Sequence, residues 1–132
     1  MILLWQNHCF LNFNDVMLLG FRNNIWFYRE PVDFRRQIDG LVILISGTLD
    51  KDPLSGQLFI FRNRSGNKIK LLLWENDGFW LMYKRLEKSR FKFPTHGEEI
   101  WDLSYEQFIC LLSGLDLTKR KKSSPIKAKY FY

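Results

Sequence analysis

The chain has 132 residues, enough for one domain with a single core, and it is 46% hydrophobic and 17% aromatic. That content excludes wholesale disorder, and the lack of any run of ~20 apolar residues argues against a membrane-spanning helix. The net charge is +6, unevenly spread. Gln57 to Phe93 holds nine bases against Glu75, Asp77 and Glu87, a net of +6, and the tail from Leu117 to Tyr132 adds six more bases with no acid. The remainder carries five bases and eleven acids and sums to −6. A basic middle and a basic tail suit a polyanionic partner. No basic amphipathic helix is legible that would lie on a membrane.

The N-terminal MILLWQNHCFLNFNDVMLLG is apolar but lacks the basic start and unbroken apolar run of a secretory signal. Phe21 to Tyr28 reads as a strand, rich in aromatic and β-branched residues. Pro31 breaks it, and Asp33 is placed to cap a helix. Phe34, Ile38, Leu41, Val42 and Ile45 follow at helical spacing, so an amphipathic helix is expected over Asp33 to Ser46, with Gly47 as its stop. Asp50 to Gly56 is turn chemistry, and Leu58 to Phe61 a central strand.

Ser65-Gly66-Asn67 and Asn76-Asp77-Gly78 read as hairpin turns bounding Lys68 to Glu75 and Phe79 to Arg85, an antiparallel meander. A three-residue loop at Asn76-Asp77-Gly78 pairs Glu75 with Phe79 and Trp74 with Trp80. One face then carries Ile69, Leu71, Leu73, Phe79, Leu81 and Tyr83. The other carries Lys68, Lys70, Leu72, Trp74, Trp80, Met82 and Lys84, a basic and aromatic platform. A two-residue Asp77-Gly78 turn would scramble that division; the first register is preferred because it leaves one clean apolar face. Phe91 to Trp101 is loop or a short strand pair. Ser104 and Gln107 form a capping box for a helix near Ser104 to Leu112, ended by Gly114. The fold expected is α+β: a single domain with a mostly antiparallel meander sheet packed against a helix, a second short helix, and a mobile basic tail over 117–132.

No catalytic constellation is legible. His8 and His96 have no zinc spacing, Cys9 and Cys110 no metal or redox spacing, and no phosphate-binding glycine loop is present. Asp33 and Asp39 point ~120° apart on a helix, which weakens a metal-dependent nuclease built from them and Glu75. Asp33 is better read as a cap, and Asp39 as a partner of Arg35. No cofactor and no small-molecule ligand are expected. The candidate nucleic-acid contacts are Arg35 and Arg36 at a helix start, then Arg62, Arg64, Lys68, Lys70, Lys84, Arg85 and Arg90, with Trp74 and Trp80 to stack on bases. For Arg35 and Arg36 a salt bridge to Asp39 or Glu30 competes with a phosphate contact.

Pro31-Val32-Asp33-Phe34-Arg35-Arg36-Gln37-Ile38-Asp39-Gly40-Leu41 resembles a segment of TnpB, the accessory protein of the insertion sequence 66 family of bacterial transposable elements, distinct from the RNA-guided nuclease of that name. The resemblance continues through Asp52-Pro53-Leu54-Ser55-Gly56, Leu58 to Arg64, Lys70 with Trp74 and Asp77-Gly78, Tyr83 to Glu87, and Arg90-Phe91 with Phe93-Pro94. It closes on Leu111-Leu112-Ser113-Gly114-Leu115-Asp116. Gln37 and Ser89 stand where the family has Gly, and Phe93 where it has Trp. Such chains normally start near Met17, so 1–16 is expected to be an extension and 17–116 the domain. The resemblance implies a small accessory protein of transposition, encoded beside a separate transposase, with no established catalytic role of its own; a cytoplasmic, non-enzymatic protein, nucleoid-associated when on DNA, is expected. Its expected partners are element-end DNA, the element's transposase, or both; the alternative is a protein-only adaptor.

Overall fold

The computed structural model describes residues 24–115. The expected extension over 1–16 and the tail over 117–132 lie outside the described residues, as do Phe21 to Asn23 of the first expected strand. Five strands form one sheet: β1 Ile25–Tyr28, β2 Leu58–Arg62, β3 Lys68–Glu75, β4 Gly78–Arg85 and β5 Ile100–Leu103, in the order β4-β3-β2-β1-β5. Helix α1 spans Ile38–Gly47 and α2 spans Tyr105–Leu112.

The fold is α+β, with the β2-β3-β4 meander in place, but the sheet is mixed. β1 runs parallel to β2, with Ile25 beside Leu58, and antiparallel to β5. A parallel neighbour requires a crossover connection rather than a hairpin, and α1 supplies it.

Each face of the sheet is covered by one helix. Ile25, Phe27, Leu58, Ile60, Ile69, Leu71 and Leu73 pack with Phe108 and Leu111 of α2. The alternate residues Tyr28, Phe59, Phe61 and Leu72 pack with Leu41 and Ile45 of α1. β2 and β3 therefore read as nearly continuous apolar runs, because both of their faces are buried.

Helix α1 starts later than expected. Its N-cap is Gln37, which makes no side-chain cap bond. Asp33 caps a preceding turn instead, its carboxylate accepting from the Arg35 N–H at 2.9 Å. The stop falls as expected at Gly47, the last helical residue. At α2 the capping box is formed: the Ser104 hydroxyl accepts from the Gln107 N–H, and the Gln107 side chain accepts from the Ser104 N–H.

The β3-β4 register departs from the expected one. Glu75 pairs with Gly78, Trp74 with Phe79 and Leu73 with Trp80, so the loop is two residues, Asn76-Asp77. Of the two, only Asn76 takes a positive φ, 62°, and the Asp77 N–H donates to Glu75 O across it, a tight γ-type turn centred on a residue type that tolerates this conformation. Shortening the loop by one residue turns every β4 side chain to the opposite face. Trp80, Met82 and Lys84 thus lie on the α2 side with Ile69, Leu71 and Leu73. Phe79, Leu81, Tyr83 and Arg85 lie on the α1 side with Lys68, Lys70, Leu72 and Trp74. The expected platform is split between two faces. The criterion of one clean apolar face fails because helices cover both.

Candidate nucleic-acid interface

The β2-β3 turn is built around Asn63. Its side-chain carbonyl accepts from the N–H groups of Gly66 (3.0 Å) and Lys68 (3.1 Å), and its amide donates to Ser65 Oγ and Asn67 Oδ1. Gly66 has φ 81°, a conformation that glycine adopts without strain. The segment after β4 folds back onto this turn: the Leu86 N–H donates to Asn67 O, the Phe91 N–H to Gly66 O, and the Arg90 guanidinium to Ser65 O at 2.6 Å.

This fold-back gathers Arg64, Lys68, Arg85, Lys88, Arg90 and Lys92 at one end of the sheet. Arg64, Lys88, Arg90 and Lys92 are exposed, and Lys68 is half-buried. Three ion pairs occur among the described residues, Arg29–Glu30, Arg35–Asp33 and Arg85–Glu87. Arg64, Lys68, Lys88, Arg90 and Lys92 take part in none of them. Lys88 and Lys92 were not among the residues expected from sequence; the signal was their place in the basic block, but their position depended on the fold-back.

Several expected contacts have other duties. Lys70 is 5% exposed, its ammonium donates to Phe34 O (2.9 Å) and Arg36 O (2.7 Å), and it sits 4.9 Å from the Phe34 ring centroid. It ties the turn before α1 to the sheet, and burial lowers its pKa. Lys84 donates to Leu112 O at 3.2 Å, a cation at a helix C-terminus, where the macrodipole favours it. Arg62 donates to Arg29 O and lies 5.5 Å from the Phe93 ring; desolvation lowers its pKa.

Arg35 and Arg36 sit in the turn before α1, on the α1 side of the sheet. The Arg35 guanidinium pairs with Asp33 at 2.6 Å rather than with Asp39, and its hydrogen bonds hold the Asp33 carboxyl at about 2, below the ordinary 3.8. Arg36 donates to Gly40 O. Trp74 is half-buried and edge-on to Phe79, with ring centroids 5.0 Å apart. Trp80 is exposed, donates to Glu75 Oε1, and faces away from Lys68.

The acids proposed for a nuclease are apart: Asp33 is held by Arg35, Asp39 lies in the first turn of α1, and Glu75 accepts from Trp80. Among the described residues no three His, Cys, Asp or Glu side chains gather as a metal site. No helix among them is long and apolar enough to cross a membrane.

No solved structure matches the chain. It is similar to two proteins of Sinorhizobium fredii, both described as uncharacterized. The protein y4jC is 39% identical over 98 residues, which cover 74% of this chain and 83% of that protein. The protein y4hO is 34% identical over 92 residues, covering 70% and 80%. The family profile described as IS66 Orf2-like protein matches residues 23–122. The chain therefore belongs to the IS66 Orf2-like family of insertion-sequence proteins associated with transposition.

Proposed function

We propose that this protein is a non-catalytic accessory factor of IS66-type transposition that binds DNA through the phosphate backbone, alongside the transposase of the same element. One observation carries the reading: the end of the sheet where the 86–92 segment folds onto the Ser65-Gly66-Asn67 turn concentrates cations, five of which take part in no ion pair, while the segment's one carboxylate, Glu87, pairs with Arg85. Phosphate contacts need charge at the surface and little else. Arg64, Lys68, Lys88 and Lys92 supply it, and Arg90 retains N–H donors beyond the one given to Ser65. Lys70 and Arg62 are held within the fold, and Arg35, Arg36 and Lys84, though exposed, are already bonded to Asp33, Gly40 O and Leu112 O, so these five are assigned to structure rather than to DNA. Base stacking by Trp74 and Trp80 is given up, because the two rings do not share a face. The site of action is then the bacterial nucleoid.

The test is the salt dependence of binding to a labelled element-end duplex, measured by fluorescence anisotropy with the full chain. Log affinity should fall with log salt at roughly −0.9 per phosphate neutralised. Arg64→Ala with Lys88→Ala should flatten that slope by about 2, while Lys84→Ala leaves it unchanged. Absent or salt-indifferent binding would remove the DNA reading and leave a protein-only adaptor.

A further inference from the structure

Strand β4 is the edge of the sheet, and β3 is its only neighbour among the described residues. The Leu86 N–H donates to Asn67 O, which continues the β3-β4 ladder and fixes its alternation. Even-numbered residues of β4 bond inward, so the N–H and C=O groups of Phe79, Leu81 and Tyr83 point out from the edge. Among the described residues nothing pairs with them.

Edge strands are usually short or blunted by charge. The opposite edge fits that description, since β5 has four residues and carries Asp102. β4 has eight residues, and its charges, Lys84 and Arg85, stand at one end. It also holds two of the four large exposed hydrophobic side chains among the described residues, Trp80 (38% exposed) and Tyr83 (53%).

We propose that β4 is a self-association edge, joining two copies of this chain antiparallel into one continuous sheet about a two-fold axis through Leu81. Such an axis, normal to the sheet, keeps each face continuous and sets outward-pointing residues opposite one another. Phe79 then lies against the partner's Tyr83, and Trp80 against the partner's Met82, which covers both exposed rings. Asp77 in the turn lies against the partner's Arg85, twice per dimer. Centring the axis on Met82 instead would set Asp77 against the partner's Glu87. Charge thus selects the register, and the partner it selects is a second copy. The two basic ends of the dimer would be separated by eight residues of strand, about 27 Å.

The test is sedimentation equilibrium of the nuclease-treated full chain over a wide concentration range, with amide exchange as a second measure. A reversible dimer is expected, with exchange at Phe79, Leu81 and Tyr83 slowing as concentration rises. Asp77→Arg and Arg85→Asp should each weaken the dimer about tenfold or more, since each reverses two cross-strand pairs. The double variant should recover to within about threefold of the parent. A chain that stays monomeric, exchange at those amides that ignores concentration, or losses that add in the double variant would each overturn the proposal.

Discussion

Replacing Lys70 with Ala removes a side chain that is 5% exposed, together with two hydrogen bonds to Phe34 O and Arg36 O. Its aliphatic stem and its ammonium contribute unequally. Burying about three methylenes is worth roughly 2 kcal/mol. Charge-assisted bonds to two carbonyls are each worth about 1.5–3 kcal/mol, but much of that offsets desolvation of the ammonium, the cause of its lowered pKa. The freed carbonyls belong to an exposed turn and can turn to water. Lys70→Ala should therefore cost about 3 kcal/mol, and Lys70→Met, which keeps the stem, about 1 kcal/mol. In a domain of this size the first corresponds to a fall of about 10 °C in the thermal midpoint. Urea unfolding followed by tryptophan fluorescence reads the difference, and five tryptophans supply the signal. The salt slope of DNA binding should be unchanged in both variants. A midpoint left within a degree or two, with a slope flatter by about 1, would make Lys70 a phosphate ligand and refute its structural assignment.

Three further outcomes follow from local geometry. Asn63→Ala removes the carbonyl that accepts two backbone N–H groups and the amide that donates twice in the β2-β3 turn, and should cost about 2 kcal/mol in urea unfolding while weakening DNA binding through the displaced 86–92 segment. Asn76→Gly should be neutral or stabilising by up to about 1 kcal/mol, and Asn76→Val should destabilise by about 1–2 kcal/mol, because φ is 62° there. The Asp33 carboxyl, followed by NMR, should titrate at about 2, and Arg35→Ala should move it toward 3.8, since hydrogen bonds from Arg35 are the main cause of the depression. A carboxylate whose folded pKa is depressed contributes stability that is present above 3.8 and lost as pH falls through about 2. Because the pair is solvent-exposed, the parent and Arg35→Ala chains should differ little in stability, and only above that window.

Signals confined to a few neighbouring residues were legible in the sequence. Ser104 and Gln107 form their capping box whatever surrounds them, the turn residues around Gly66 and Asp77 mark the meander, and Leu41, Ile45, Phe108 and Leu111 mark the buried helix faces. The family was legible for the same reason, being carried by short motifs in order. What the tertiary structure decided was everything that depends on a partner far along the chain. β1 lies beside β2 in parallel because α1 carries the chain across the sheet, which no local pattern in Ile25 to Tyr28 announces. The faces of β4 turned on one residue of loop length, and the apolar count could not choose between registers because each face of the sheet meets a helix. Lys70 reads in sequence as one more base of a basic block. The turn that places Phe34 O and Arg36 O above it makes it a structural anchor, and the fold-back of 86–92 onto Gly66 turns Lys88 and Lys92 into surface charge beside Arg64. A charge is countable from sequence, but whether it faces solvent or a carbonyl is set by residues some 30 positions away.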